Sequence, residues 1–166
     1  MEIWDAYDRN MNKIEGVSLV RGEPLPEGCF HLVSEVIVRH RDGTWLLMQR
    51  DAGKHFGGMW EATAGGSALQ GESPLDCAVR ELWEETGILS KELIEIGRVL
   101  HYGHKAIYVE YLCHTDMDKN GIVLQAGETA AYQWVEGNQL QNMSGRELAT
   151  QRIQNFVKEL SQSTGS

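Results

Sequence analysis

The stretch GSALQGESPLDCAVRELWEETGI, residues 66–88, carries more structural instruction than any other part of the chain. Ser73 is a capping residue, Pro74 suits a first helical position, Asp76 falls in the first turn and Gly87 stops the run, so the spacing predicts a helix over Pro74–Thr86. On a helical wheel Leu75, Ala78, Val79 and Leu82 share an apolar sector. Glu81, Glu84 and Glu85 fall beside it within an arc of about 100°. The first sector packs; the second gathers negative charge. Like charges four residues apart repel, and glutamates in a last turn meet the negative end of the helix dipole. A solvated face is the ordinary reading of such a charge run. The glycine-rich backbone just before the helix argues instead for converging hard-oxygen ligands, which suit Mg²⁺ or Mn²⁺.

Outward from this helix, residues 53–71 hold six glycines and read as loops where backbone approaches a ligand closely. Phe30–Val38 and Trp45–Met48 read as core strands joined antiparallel through Arg41-Asp42-Gly43. Leu93–Val99, Ala106–Cys113 and Tyr132–Val135 read as further strands, and Glu147–Leu160 as a C-terminal helix with Leu148, Ile153, Phe156, Val157 and Leu160 on one face. Residues 1–27 form a polar, turn-rich extension in which Val17–Val20 suits one strand of a hairpin, and residues 161–166 read as a disordered tail. With 166 residues, 42% of them apolar, the expectation is one domain with one core.

The formal charge of -9 repels polyanions and gives no broad footing for a long nucleic acid. Cations on clustered carboxylates can invert that charge locally, so a small phosphorylated substrate remains compatible with it. No apolar run approaches a membrane span and the first residues lack a signal peptide's pattern, so the expected location is cytoplasmic. Cys29, Cys77 and Cys113 are odd in number and widely spaced, which implies reduced thiols.

Gly66, five residues, Glu72, seven residues, then Arg80-Glu81-Leu82-Trp83-Glu84-Glu85-Thr86-Gly87-Ile88 resembles the Nudix box at all nine defining positions. The resemblance implies an α/β fold, an α/β/α sandwich with a central mixed β-sheet, and a pyrophosphohydrolase that cleaves a phosphoanhydride in a small nucleoside diphosphate-linked or other diphosphate substrate. By position, Glu84 and Glu85 resemble the principal metal ligands, Glu81 a ligand or water-activating base, and the Gly65 carbonyl a further ligand. Glu72 and Arg80 resemble the family's supporting pair, with Gly66 and Gly87 shaping the loops at the two ends of the helix. Glu128 matches the place from which several members recruit another glutamate, and Glu110 competes with it. The implied cofactor is Mg²⁺, with Mn²⁺ as the alternative.

Arg50, Lys54 and His55 are the basic residues nearest the glycine-rich segment and are candidate phosphate contacts; Trp60 is either a stacking surface for a base or a packed anchor. His101 and His104 either face substrate or, the favoured reading, serve a strand turn, and Cys77, a poor Mg²⁺ ligand, suits an inert role. The segments Trp4-Asp5-Ala6-Tyr7-Asp8, Arg21-Gly22-Glu23 and Gly28-Cys29-Phe30-His31-Leu32-Val33 also resemble the Nudix branch of isopentenyl diphosphate isomerases, but Gly65 stands where those enzymes place a catalytic cysteine. Hydrolysis is therefore the favoured reading, with an isomerase and a non-catalytic nucleotide sensor as alternatives. For the N-terminal extension, a cover over the cleft and a homodimer contact both remain open.

Overall fold

The structure, a computed structural model, describes residues 1–149 and 153–163. Its first two strands, β1 (Ile3–Tyr7) and β2 (Lys13–Val20), form an antiparallel hairpin with a small core of its own, built on Trp4, Ala6, Leu19 and Cys29. The strand expected at Val17–Val20 is the second half of β2.

The central sheet grows from β3 (His31–His40), whose Leu32, Val36 and Val38 turn to one face while Ile37 turns to the other. Next follow β4 (Trp45–Arg50), β5 (Trp60–Glu61), β6 (Thr63–Ser67), β7 (Ile94–His101), β8 (Ala106–Thr115) and β9 (Thr129–Val135). Strand β3 runs parallel to β8 along its whole length, from His31 opposite Ala106 to His40 opposite Thr115. On its other edge it pairs antiparallel with β6, and β7 closes the far side of β8. The sheet is thus mixed, and β8 is buried as a central strand should be, including the fully buried Glu110.

Helix α1 (Pro74–Thr86) covers one face through Cys77, Ala78 and Leu82. Helices α2 (Gly137–Gln141) and α3 (Ile153–Ser163) cover the other, where Leu140, Ile153 and Val157 join Ile37, Leu47 and Leu112. This is the α/β/α layering.

The Asp42-Gly43 turn joins β3 to β4 antiparallel, as expected; the pairing is confined to Arg39 and Trp45, because β6 takes the edge of β3 beyond that point and β4 turns to β9 and β5. Two expectations need correction. The glycine-rich segment is not all loop, since Gly65 and Gly66 lie in β6. A side chain at Gly65 would stand 2.3 Å from the Ser34 carbonyl oxygen, so here glycine serves close strand approach. The C-terminal helix does not begin at Glu147: Leu148 forms a bridge with Trp60, residues 150–152 of the expected helix lie outside the described residues, and the described helix spans Ile153–Ser163, into the expected tail. The rest of that tail, residues 164–166, lies outside the described residues.

Candidate active site

Local sequence sets α1 firmly in place. The Ser73 hydroxyl accepts a hydrogen bond from the Asp76 N–H at 3.0 Å, and Gly87 adopts a φ of 79° and returns its N–H to the Trp83 carbonyl at 2.9 Å. The Arg80 guanidinium grips Glu72 with two parallel bonds, Nε to Oε2 at 2.8 Å and Nη2 to Oε1 at 2.9 Å. Its Nη1 donates to Glu81 at 2.9 Å and to Glu84 at 3.2 Å, so one cation organises three carboxylates. Gly66 has a clear reason to lack a side chain: a Cβ there would lie 2.5 Å from Glu81 Oε1.

Helix α1, strands β3 and β6, and the 125–129 segment enclose a cleft of about 370 Å³. Glu81, Glu84 and Glu85 line it together with Gly65, Gly66, Arg80 and Glu128. Arg50 and Lys54 also face it, each already paired with a carboxylate: Arg50 Nη1 donates to Glu61 at 2.6 Å, and Lys54 binds Glu128. Four lining carboxyl or cationic residues were not legible as site residues in the sequence: Glu35, Glu61, Glu2 and Arg21. Alternation along β3, and from Glu61 to Thr63, is a signal that could have found the first two; the last two arrive from the N-terminal hairpin and have no local signature. The hairpin is accordingly a wall of the cleft.

Burial pushes the carboxyl of Glu85 well above the ordinary carboxylate range, with Glu81 and Glu61 adding repulsion against the opposing Gly65 N–H and Lys54. Burial likewise raises Glu81 against the pull of Arg80, and raises Glu61 against that of Arg50. For Glu72, burial alone would raise the carboxyl, but the bonds from Arg80 and the Leu69 N–H prevail and hold it low. Seven glutamates line the cleft against four basic side chains. A surplus of hard-oxygen donors under mutual repulsion fits a divalent cation chemically. Among the described residues no three acidic, His or Cys side chains are drawn into a ready-made cage; Arg80 and Lys54 hold several of the oxygens instead.

Other candidates fall outside the cleft. The His55 ring lies against Phe56 with centroids 4.1 Å apart, and the His55 carbonyl accepts from Arg50 Nε at 2.6 Å. Trp60 packs with the second core cluster, as an anchor rather than a cleft surface. Glu110 is buried within the sheet, whereas Glu128 reaches the cleft. His101 and His104 stack on each other at 3.8 Å in the β7–β8 turn. Cys77 is fully buried, its thiol pushed up to about 12 by that burial, and it donates weakly to the Gly66 carbonyl at 3.4 Å.

Residues 30–160 match the family model of the NUDIX domain. An uncharacterized Nudix hydrolase of Listeria monocytogenes is 32% identical over 143 residues, which span 85% of this chain and 83% of that relative. Two solved structures have the same fold. A Deinococcus radiodurans protein superposes with a TM-score of 0.76 at 16% identity, covering 95% of this chain and 98% of its own. A MutT protein of Methanosarcina mazei gives a TM-score of 0.67 at 23% identity, covering 82% and 96%.

Proposed function

This chain belongs to the Nudix hydrolase family, as a pyrophosphohydrolase, and we propose that it performs metal-dependent hydrolysis of a phosphoanhydride in a small diphosphate-linked substrate, using Glu81, Glu84 and Glu85. The observation that carries this reading is the convergence of those three glutamates on one cleft in which acidic side chains outnumber basic ones. Such a cleft repels a diphosphate until a cation joins it.

Enzymes of this family generally use divalent metal ions; Mg²⁺ is the expected ion here, with Mn²⁺ as the alternative, and Glu81, Glu84, Glu85, Glu128 and the Gly65 carbonyl are the donors that would hold it. When bound, such an ion relieves charge on the phosphoryl oxygens and acidifies a water. As base rather than ligand, Glu81 would take the proton of the attacking water as that water's oxygen bonds to phosphorus, while the bridging P–O bond breaks and its electron pair leaves with the departing phosphate or nucleotide. Arg50 and Lys54 offer their cationic ends to the phosphates, exchanging Glu61 and Glu128 for substrate oxygens. Glu72 does no chemistry; through Arg80 it fixes where Glu81 and Glu84 stand.

The isomerase alternative meets an obstacle at Gly65. Besides lacking the cysteine, that position lies so close to β3 that any side chain would collide with the Ser34 carbonyl. The deciding experiment measures phosphate and nucleotide release from a panel of diphosphate compounds with Mg²⁺ or Mn²⁺, comparing the native chain with Glu85→Gln and scoring isopentenyl diphosphate for isomer formation. Metal-dependent cleavage lost in Glu85→Gln is the expected result, and the best substrate then identifies the group that the cleft accepts. Tight metal-dependent binding without turnover of any compound would favour a sensor, and double-bond migration an isomerase.

A further inference from the structure

The family model begins at residue 30, so it assigns nothing to the β1–β2 hairpin, yet that hairpin is fastened to the loop of the glutamate-rich motif. Leu69–Glu72 is a tight turn closed by the Glu72 N–H on the Leu69 carbonyl at 2.9 Å. Both of its central N–H groups donate to β1: Gln70 to the Ile3 carbonyl at 2.9 Å, and Gly71 to Asp5 Oδ2 at 2.8 Å. The Gln70 amide also donates to the Ser18 hydroxyl at 2.7 Å. Asp5 is a buried carboxylate, only 7% exposed, with Lys13 Nζ 3.5 Å from the same oxygen. The far end of the turn is Glu72, whose Oε1 accepts the Leu69 N–H at 2.7 Å and whose two oxygens hold Arg80. Short polar contacts, joined through the Gly71–Glu72 peptide bond, therefore connect Asp5 to Arg80, and Arg80 to Glu81 and Glu84.

A buried carboxylate bonded to a backbone N–H forms a strong, directional contact, and groups that orient ligands are tuned by the partners behind them. We propose that Asp5 is a positioning residue for the hydrolysis, setting the stations of Glu81 and Glu84 through the Leu69–Glu72 turn and Arg80. The inference rests on the role given above to those glutamates. It makes the hairpin a working part of the active site in addition to a wall of its cleft.

The test compares the native chain with Asp5→Ala, with Asp5→Asn, whose amide oxygen can still accept the Gly71 N–H, and with Glu15→Ala, an exposed hairpin control. Asp5→Ser, which keeps a polar group but shortens the reach to Gly71, is the second truncation should Asp5→Ala not fold. For each protein kcat, KM, Mn²⁺ affinity from the free-ion EPR signal, thermal midpoint and amide exchange over residues 69–72 are measured. Truncation should lower kcat or Mn²⁺ affinity by about tenfold, quicken exchange in the turn and leave KM nearly unchanged, with Asp5→Asn restoring most of the loss. Native kcat and Mn²⁺ binding in a folded truncation would overturn the proposal. Equal losses in Asp5→Ala and Asp5→Asn that track the thermal midpoint would also overturn it, reducing Asp5 to a structural anchor. Glu85→Gln run alongside separates the two readings: if it is inactive while the truncations are native, hydrolysis stands and the positioning role falls; if it is fully active, the assignment of the glutamates falls and this inference with it.

Discussion

Arg80 and Gly66 illustrate how the site is specified atom by atom. The eight-residue interval from Glu72 to Arg80 was readable as a supporting pair, but the reach of the same guanidinium to Glu81 and Glu84 was not, because it depends on side-chain direction along α1. Gly66 is forced by the Glu81 carboxylate rather than by backbone freedom. In Gly66→Ala the flexible carboxylate can swing aside, so the fold should survive in a thermal melt while kcat falls by about a hundredfold through misplacement of Glu81. His31 makes a pH prediction. Stacked on Trp4 at 4.4 Å, its imidazole is held down to about 4, by burial first and then by His104. Between pH 4 and the ordinary imidazole value of 6.5 the unfolded chain binds a proton there that the folded chain refuses, so the contribution of His31 is intact above pH 6.5 and is lost as pH falls toward 4. Thermal midpoints of native protein and His31→Gln across that range should converge as the medium is acidified; parallel curves would refute the assignment.

Helix α1 is the element whose sequence and structure coincide, with both ends where the capping residues put them. Local chemistry was sufficient because Ser73, Pro74 and Gly87 act on their own backbone. Removing the cap in Ser73→Ala should lower stability by about 1 kcal/mol in urea titration, without a change in KM. Strand β6 is the opposite case: Gly65 and Gly66 suggest loop by composition, and only the pairing of Val33–Ile37 with Thr63–Ser67 makes them strand. Likewise, Leu148 has helical spacing to Ile153 and Phe156, yet its backbone bridges Trp60. Periodicity along one segment cannot register a partner nearly ninety positions away.

Across the whole molecule, two apolar layers hold the sheet between α1 on one side and α2 and α3 on the other. Leu148 is 1% exposed in the second layer and is not among the residues that line the cleft. Leu148→Ala should cost about 2–5 kcal/mol of stability while the folded fraction keeps its native KM, which denaturant titration and kinetics at low temperature would check. No helix among the described residues is long and apolar enough to cross a membrane. The sequence alone determined α1, its acidic face and the family, because capping, wheel position and fixed spacing are properties of adjacent residues. Only the tertiary structure decided that Glu35 and Glu61 join that face, that Trp60 and His55 turn away, and that the hairpin carrying Asp5, Glu2 and Arg21 meets the cleft. These juxtapositions arise from strand pairing and hydrogen bonds between segments far apart in the chain, and no local pattern encodes them.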